Sequence, residues 1–224
     1  MLRLVYFAAI NNNRNVRKAK NAVRAANVGD AGDIAEIQQR AMRETLVRAL
    51  NAPLSARTLS RLSTEEFTRT WTAALRRPAD QRELALIATE NEKAVGFATV
   101  IPCEPADSPA ARKHRPYSPP ASECEDDSDT VGRRAFEILN FEISSASFDR
   151  GHEARLLSAI TDLIGPAAEE SGSGETEIYL WIFESDTEKI RTFSAAGFAP
   201  CGLRRSFAID GRQITQHLWW SVLS

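Results

Sequence analysis

The sequence predicts one α/β domain, a mixed and mostly antiparallel sheet flanked by helices on both faces. Three observations carry that prediction. Segments of period two interleave with segments of helical period along the chain, so strands and helices alternate. Two pairs of strand-like runs are joined by short polar turns, Glu90-Asn91-Glu92-Lys93 and Asp210-Gly211, which makes hairpins and antiparallel neighbours. The run Glu177 to Phe183 (EIYLWIF) is apolar after its first residue, as a strand covered on both faces requires.

Composition bounds the function. With 224 residues and 43% hydrophobic content the chain can bury a real core. A net charge of −2 lacks the basic footprint that phosphate backbones demand, so nucleic acid is not an expected partner. The apolar piece Leu4 to Ile10 is too short to span a bilayer, so no membrane partner is expected either. Cys103, Cys124 and Cys201 form no CxxC spacing, which argues against structural zinc and fits a reducing, cytoplasmic setting.

The elements follow in order. Residues 1–20 are basic and Asn-rich, and read as a flexible extension, with a targeting segment or an upstream start-codon artefact as the alternatives; order begins near Asn21 with a first strand, NAVRAANV. Asp30 and Asp33 offer N-cap oxygens to a helix from Ile34 to Leu50. A second helix starts at Thr64, with Glu65 and Glu66 where the dipole favours acids, and stops at Pro78. The hairpin Glu83–Thr89 and Ala94–Ile101 carries Gly96, the mark of a bulge or a close backbone approach. Residues 103–134 are proline-rich, then acidic, and too poor in apolar groups to offset their ordering entropy; a disordered insertion is expected, either a solvated loop or a docking element.

After the insertion comes EILNFEISSASFDRGHEARLLSAITDLI, Glu137 to Ile164. Strict alternation puts Glu137, Leu139, Phe141 and Ile143 on one face and Asn140 and Glu142 on the other. A polar turn, Ser144 to Gly151, leads into an amphipathic helix through Leu156, Leu157, Ile160, Leu163 and Ile164. A strand running through such a turn into a helix aims free N–H groups at one spot, which is either an anion site or plain scaffold. His152 reads as a surface residue at the helix start. Beyond the strand Glu177–Phe183, Asp186 caps a helix from Thr187 to Ala196, and Gly197 ends it in the left-handed conformation. The hairpin Gly202–Ile209 and Gln213–Val222 closes the chain; its Leu218-Trp219-Trp220 is either core or a homodimer interface.

Four segments together resemble the GCN5-related N-acetyltransferases (GNAT). VRAANVGDAGDIAEIQ is similar to that family's first strand and helix, and ELALIATENEKAVGFATVIP to its central hairpin. EILNFEISSASFDRGHEARLL is similar to the cofactor strand, loop and helix, and FESDTEKIRTFSAAGFAPCG to the closing helix with its Gly-Phe. The resemblance spans residues 21–224 apart from the insertion, as a single domain. It implies acetyl-CoA as acyl donor and a small-molecule or protein amine as acceptor. In the family's Gln/Arg-x-x-Gly-x-Gly/Ala loop, the signature positions fall on Phe148, Gly151 and Glu153, so only the first glycine is kept. The resemblance places the cofactor against Ile143, Ser144, Ser145, Phe148, Arg150, Gly151, His152, Glu153 and Ala154, with Asp186 and Phe193 at the family's Asn and Tyr positions. Glu137 falls on the general-base glutamate of the histone-modifying branch, and Glu142 is a second candidate. Glu153 brings negative charge to a phosphate site and Phe193 cannot protonate a leaving thiolate, so a catalytically impaired CoA-binding module is the alternative expectation.

Overall fold

A computed structural model describes residues 21–77, 84–103, 134–165 and 176–223. The basic extension, nearly all of the insertion, Pro78 and the joint at 166–175 lie outside the described residues. Among the described residues no helix is long and apolar enough to cross a membrane.

Seven strands form one sheet: β1 (Asn21–Ala25), β2 (Leu84–Glu90), β3 (Lys93–Cys103), β4 (Arg134–Ile143), β5 (Thr176–Phe183), β6 (Ala199–Ile209) and β7 (Arg212–Leu223). Their order across the sheet is β1-β2-β3-β4-β5-β7-β6, and only β4 and β5 run parallel. The helices are α1 (Ala31–Leu50), α2 (Ala56–Arg61), α3 (Thr64–Arg76), α4 (His152–Ile164) and α5 (Thr187–Ala195).

Burial assigns the faces. Leu156, Ile160 and Phe193 of α4 and α5 pack on Phe136, Ile138, Phe141, Ile178 and Ile182. On the opposite face, Ile34 of α1 and Trp71 and Leu75 of α3 cover Ile87 and Phe97. Trp71 meets Phe97 edge-to-face at 5.4 Å and donates its indole N–H to Gln38 Oε1 at 2.7 Å, locking α3 to α1. Trp219 and Trp220 serve the two faces of β7, one packed on the α4–α5 core and the other beside Tyr179 and Leu218.

Two expectations need correction. Asp30 does not cap α1 with its side chain; it accepts two 2.7 Å bonds from Arg24 and one from the Asn27 N–H, closing a 3-10 turn from which α1 starts three residues early, at Ala31. The alternation along β4 also breaks. Against β3, Thr99 pairs with Asn140 but Val100 pairs with Ile138, so Leu139 is an extra residue, a β-bulge. The phase inverts there: Phe136, Ile138 and Phe141 face the α4–α5 core, while Glu137 turns to the other face and Leu139 is exposed.

Gly96 has the close approach its place in the strand predicts. A Cβ there would sit 2.7 Å from the Glu142 carbonyl oxygen and collide with the Ile143 side chain. Gly96→Ala is therefore expected to force β3 and β4 apart where the cleft begins, lowering stability by about 1–3 kcal/mol. Chemical denaturation reads this directly, and an unchanged midpoint and slope would contradict the contact.

Candidate active site

The parallel pair β4–β5 frames the candidate site. Its register runs from Arg134 opposite Thr176 to Glu137 opposite Tyr179, and stops, although both strands continue. Above Glu137 the strands diverge, leaving an edge of β4 without its β5 partner. The β4–α4 turn lies at the top of this splay. There Asp149 and Gly151 both take left-handed conformations (φ 57° and 78°), and Gly151 is the N-cap of α4. Successive amides in such a turn, with the positive end of a helix behind them, form an anion nest.

The nest already holds a carboxylate. Glu153, in the first turn of α4, folds back so that its Oε1 accepts the Asp149 N–H at 3.0 Å, and the residue is only 7% exposed. It neither turns to solvent nor pairs with Arg150. Arg150 instead reaches Glu90 on β2 at 2.9 Å, so its charge is committed away from Glu153.

His152 is buried, not a surface residue. Its Nδ1 lies 3.2 Å from an Arg155 Nη, which can only donate, so Nδ1 accepts and the proton sits on Nε2. That Nε2 is buried with no partner among the described residues, and burial holds the ring below its ordinary pKa, so His152 is a neutral part of the scaffold. Ala154 is exposed on α4. The Ser144 N–H is taken by Val95 O at 2.8 Å, and Ser145 Oγ contacts Glu44 Oε1 at 3.4 Å.

Helix α5 closes the other side of the splay. Lys189 holds Glu142 at 2.7 Å, and Arg191 holds Asp149 at 2.8 Å while lying over the Phe148 ring. Asp186 caps α5 by accepting the Lys189 N–H at 3.2 Å. Phe193 is fully buried, 5.0 Å from the ring centres of both Phe141 and Phe198. At the positions where the resemblance puts Asn and Tyr, the structure thus places a helix cap and a core ring. Beside Ile143, Ser144 and Ser145 a cleft of about 130 Å³ opens against α1, lined also by Asp33, Glu36, Arg40 and Glu44. Its three carboxylates against one guanidinium suit a cation and not a phosphate.

Glu137 stands apart from this clamp, on the face shared by Ala135, Tyr179 and Leu218. No described residue hydrogen-bonds its carboxylate. Burial pushes its pKa up, and the charge of Arg205 pulls the other way. Arg205 projects from β6 over Trp181, 4.3 Å from the ring centre, with Nε donating to Gln216 Oε1 at 2.7 Å. Sequence reasoning missed Arg205, Trp181 and Gln216 as a group. They lie on three strands, and only the β5-β7-β6 order, which departs from chain order, brings them together.

The wall beside this floor is anchored by Asp210, in the β6–β7 turn where Asp210 and Gly211 both have positive φ. Its carboxylate accepts from the Ser55 N–H (2.8 Å), Ser55 Oγ (2.6 Å) and Thr58 Oγ1 (2.7 Å), which tie the turn to α2 and hold its pKa below the ordinary range. Because the pKa is depressed in the folded state, this anchorage is present above the unfolded value and lost as pH falls through the folded one. Asp210→Asn keeps the turn, since Asn tolerates positive φ, but removes the anion. Hydrogen exchange should show residues 55–61 losing protection, with the hairpin unaffected; equal protection in both proteins would dismiss the anchor.

Among the described residues no group of His, Cys, Asp and Glu is placed to hold a metal ion. No family model matches the sequence, and no curated protein matches it. Solved structures do match. The acetyl-CoA complex of Arabidopsis thaliana NAA60 superposes with a TM-score of 0.57 at 15% identity, over 91% of this chain and 98% of that one. Ribosomal-protein-S5-alanine acetyltransferase from Vibrio fischeri gives 0.56 at 12% identity, over 92% and 95%. An acetyltransferase of the GNAT family from Streptococcus pneumoniae gives 0.51 at 13%, over 91% and 99%. The chain has the GNAT fold.

Proposed function

We propose that this GNAT-fold chain transfers an acetyl group from acetyl-CoA to an amine by direct attack. The observation that carries the reading is the splay: β4 and β5 part above Glu137 and Tyr179, and an anion nest caps the opening. A pantetheine arm fits between the strands, its amides replacing the missing ladder partners of β4, while the pyrophosphate meets the amides of residues 148–154. The thioester carbonyl is polarised by backbone N–H groups near Ile143, which act as an oxyanion hole.

Glu137 is the general base. Glu142 is held by the Lys189 ammonium, whereas Glu137 is unengaged and has a raised proton affinity. It takes a proton from the acceptor ammonium, directly or through water. The amine nitrogen then attacks the carbonyl carbon and the new C–N bond forms; the nitrogen gives up its second proton to solvent as the C–S bond breaks. Phe193 has no proton to give, so solvent protonates the departing thiolate.

Calorimetry with acetyl-CoA, together with thiol release across an amine panel, tests the proposal. Binding with thiol release supports it, and no binding at millimolar cofactor would refute it. Binding without release on any amine would leave a CoA-binding module.

A further inference from the structure

We propose that the acceptor carries a carboxylate close to its amine, and that the guanidinium of Arg205 recognises it. This inference rests on the acyl-transfer reading and concerns the acceptor side of the same site.

Arg205 is built as a receptor. Its guanidinium carbon lies over the Trp181 ring, 4.3 Å from the ring centre, and 5.4 Å from the Phe207 ring centre, and its Nε is fixed by Gln216, which is 9% exposed. Side-chain freedom is therefore lost before any ligand arrives, which favours binding. One of five N–H donors is used; the two Nη groups have no acceptor among the described residues, on a residue that is exposed. Three other arginines near the cleft differ, and Arg40 lines the cleft with the carboxylates of Asp33, Glu36 and Glu44. Arg48, Arg150 and Arg191 each end on a carboxylate, of Glu188, Glu90 and Asp149. Arg205 alone in this group presents an unoccupied fork, the geometry that takes a carboxylate bidentately.

The position fixes the class of ligand. Arg205 starts on β6 but its guanidinium lies over Trp181 of β5, the strand next to Glu137 on β4. Neighbouring strands are about 4.8 Å apart, so base and fork are separated by roughly one to two strand spacings, about 5–10 Å. A negative and a positive group at that separation match the ammonium and carboxylate of a compact amino acid, and Arg205 repels a second cation. Amino acids with few bonds between the two groups therefore fit, and polyamines do not.

The test compares free amino acids (glycine, β-alanine and longer ω-amino acids) with their amides, in the unmutated protein and in Arg205→Gln and Arg205→Lys. Both changes lie on an exposed position of an edge strand. The expected result is a kcat/KM for the acids about tenfold to a hundredfold above the amides, from a charge-assisted pair. That ratio should fall to about one in Arg205→Gln and stay intermediate in Arg205→Lys, which keeps charge without the fork. A ratio near one in the unmutated protein, or one kept in Arg205→Gln, overturns the proposal. Calorimetry with the N-acetylated acids and amides gives a second readout that needs no turnover. Tighter acid binding that depends on Arg205 supports the site even if no amine is acetylated, and equal binding of acid and amide rejects it even if one is.

Discussion

Replacing Glu137 with glutamine is expected to lower kcat by about 10²–10⁴-fold, the range of a positioned general base. The acid limb of the kcat/KM profile should vanish with it. In the unmutated protein that limb should lie above the ordinary glutamate value of 4.5, because burial raises the pKa and Arg205 only partly opposes the rise. Stability should move the other way. A carboxylate whose pKa is raised on folding stabilises the fold below its unfolded value, and that contribution is lost as pH rises through the folded value. At neutral pH the ionised Glu137 is thus a cost that glutamine removes. The variant should melt no lower than the original while losing turnover, a combination that a merely structural glutamate does not give. An unchanged pH profile and rate would eliminate Glu137 as the base.

The second large effect is a gain. Glu153→Ala should tighten acetyl-CoA binding by about ten- to a hundredfold. A carboxylate about 6–8 Å from a phosphate, at an effective dielectric of about 20–40, costs roughly 1–3 kcal/mol. Here the carboxylate also occupies the Asp149 N–H, a donor the phosphate would use. Without ligand the variant should lose about 1 kcal/mol, as when a helix cap is removed. Tighter binding with lower intrinsic stability is the expected pair of results. If affinity stays the same or weakens, the phosphates do not sit on this turn.

Much of the fold is legible in the sequence because strand alternation, helical periodicity and turn chemistry are local. The Asp210-Gly211 and Asn91-Glu92 turns, the Gly197 stop and the buried strand 176–183 all depend on neighbours within a few residues. The site is less legible, because what decides it is not local. Glu153 looks in sequence like a charge facing a ligand; whether it points outward or folds back on Asp149 is set by the φ of Asp149 and Gly151. His152 is polar and next to a glycine, the usual signature of a surface turn, yet it is buried. The resemblance alone points to Glu137, while the partner that modulates it, Arg205, stands 68 positions later in the chain.

The extra residue in β4 has a consequence for how the strand can change. It splits the strand into two reading frames, with core positions at Phe136 and Ile138 below it and Phe141 above it. A scan of hydrophilic replacements would show odd and even positions exchanging tolerance across Leu139. Deleting that one residue would do what no single replacement can, joining the two frames into one unbroken alternation with Phe136, Ile138 and Phe141 still inside and the pairing with β3 kept. Glu142 would stay with Lys189 and Phe141 with Phe193, and what the wall of the slot would lose is the local bend and added twist that the bulge gives it.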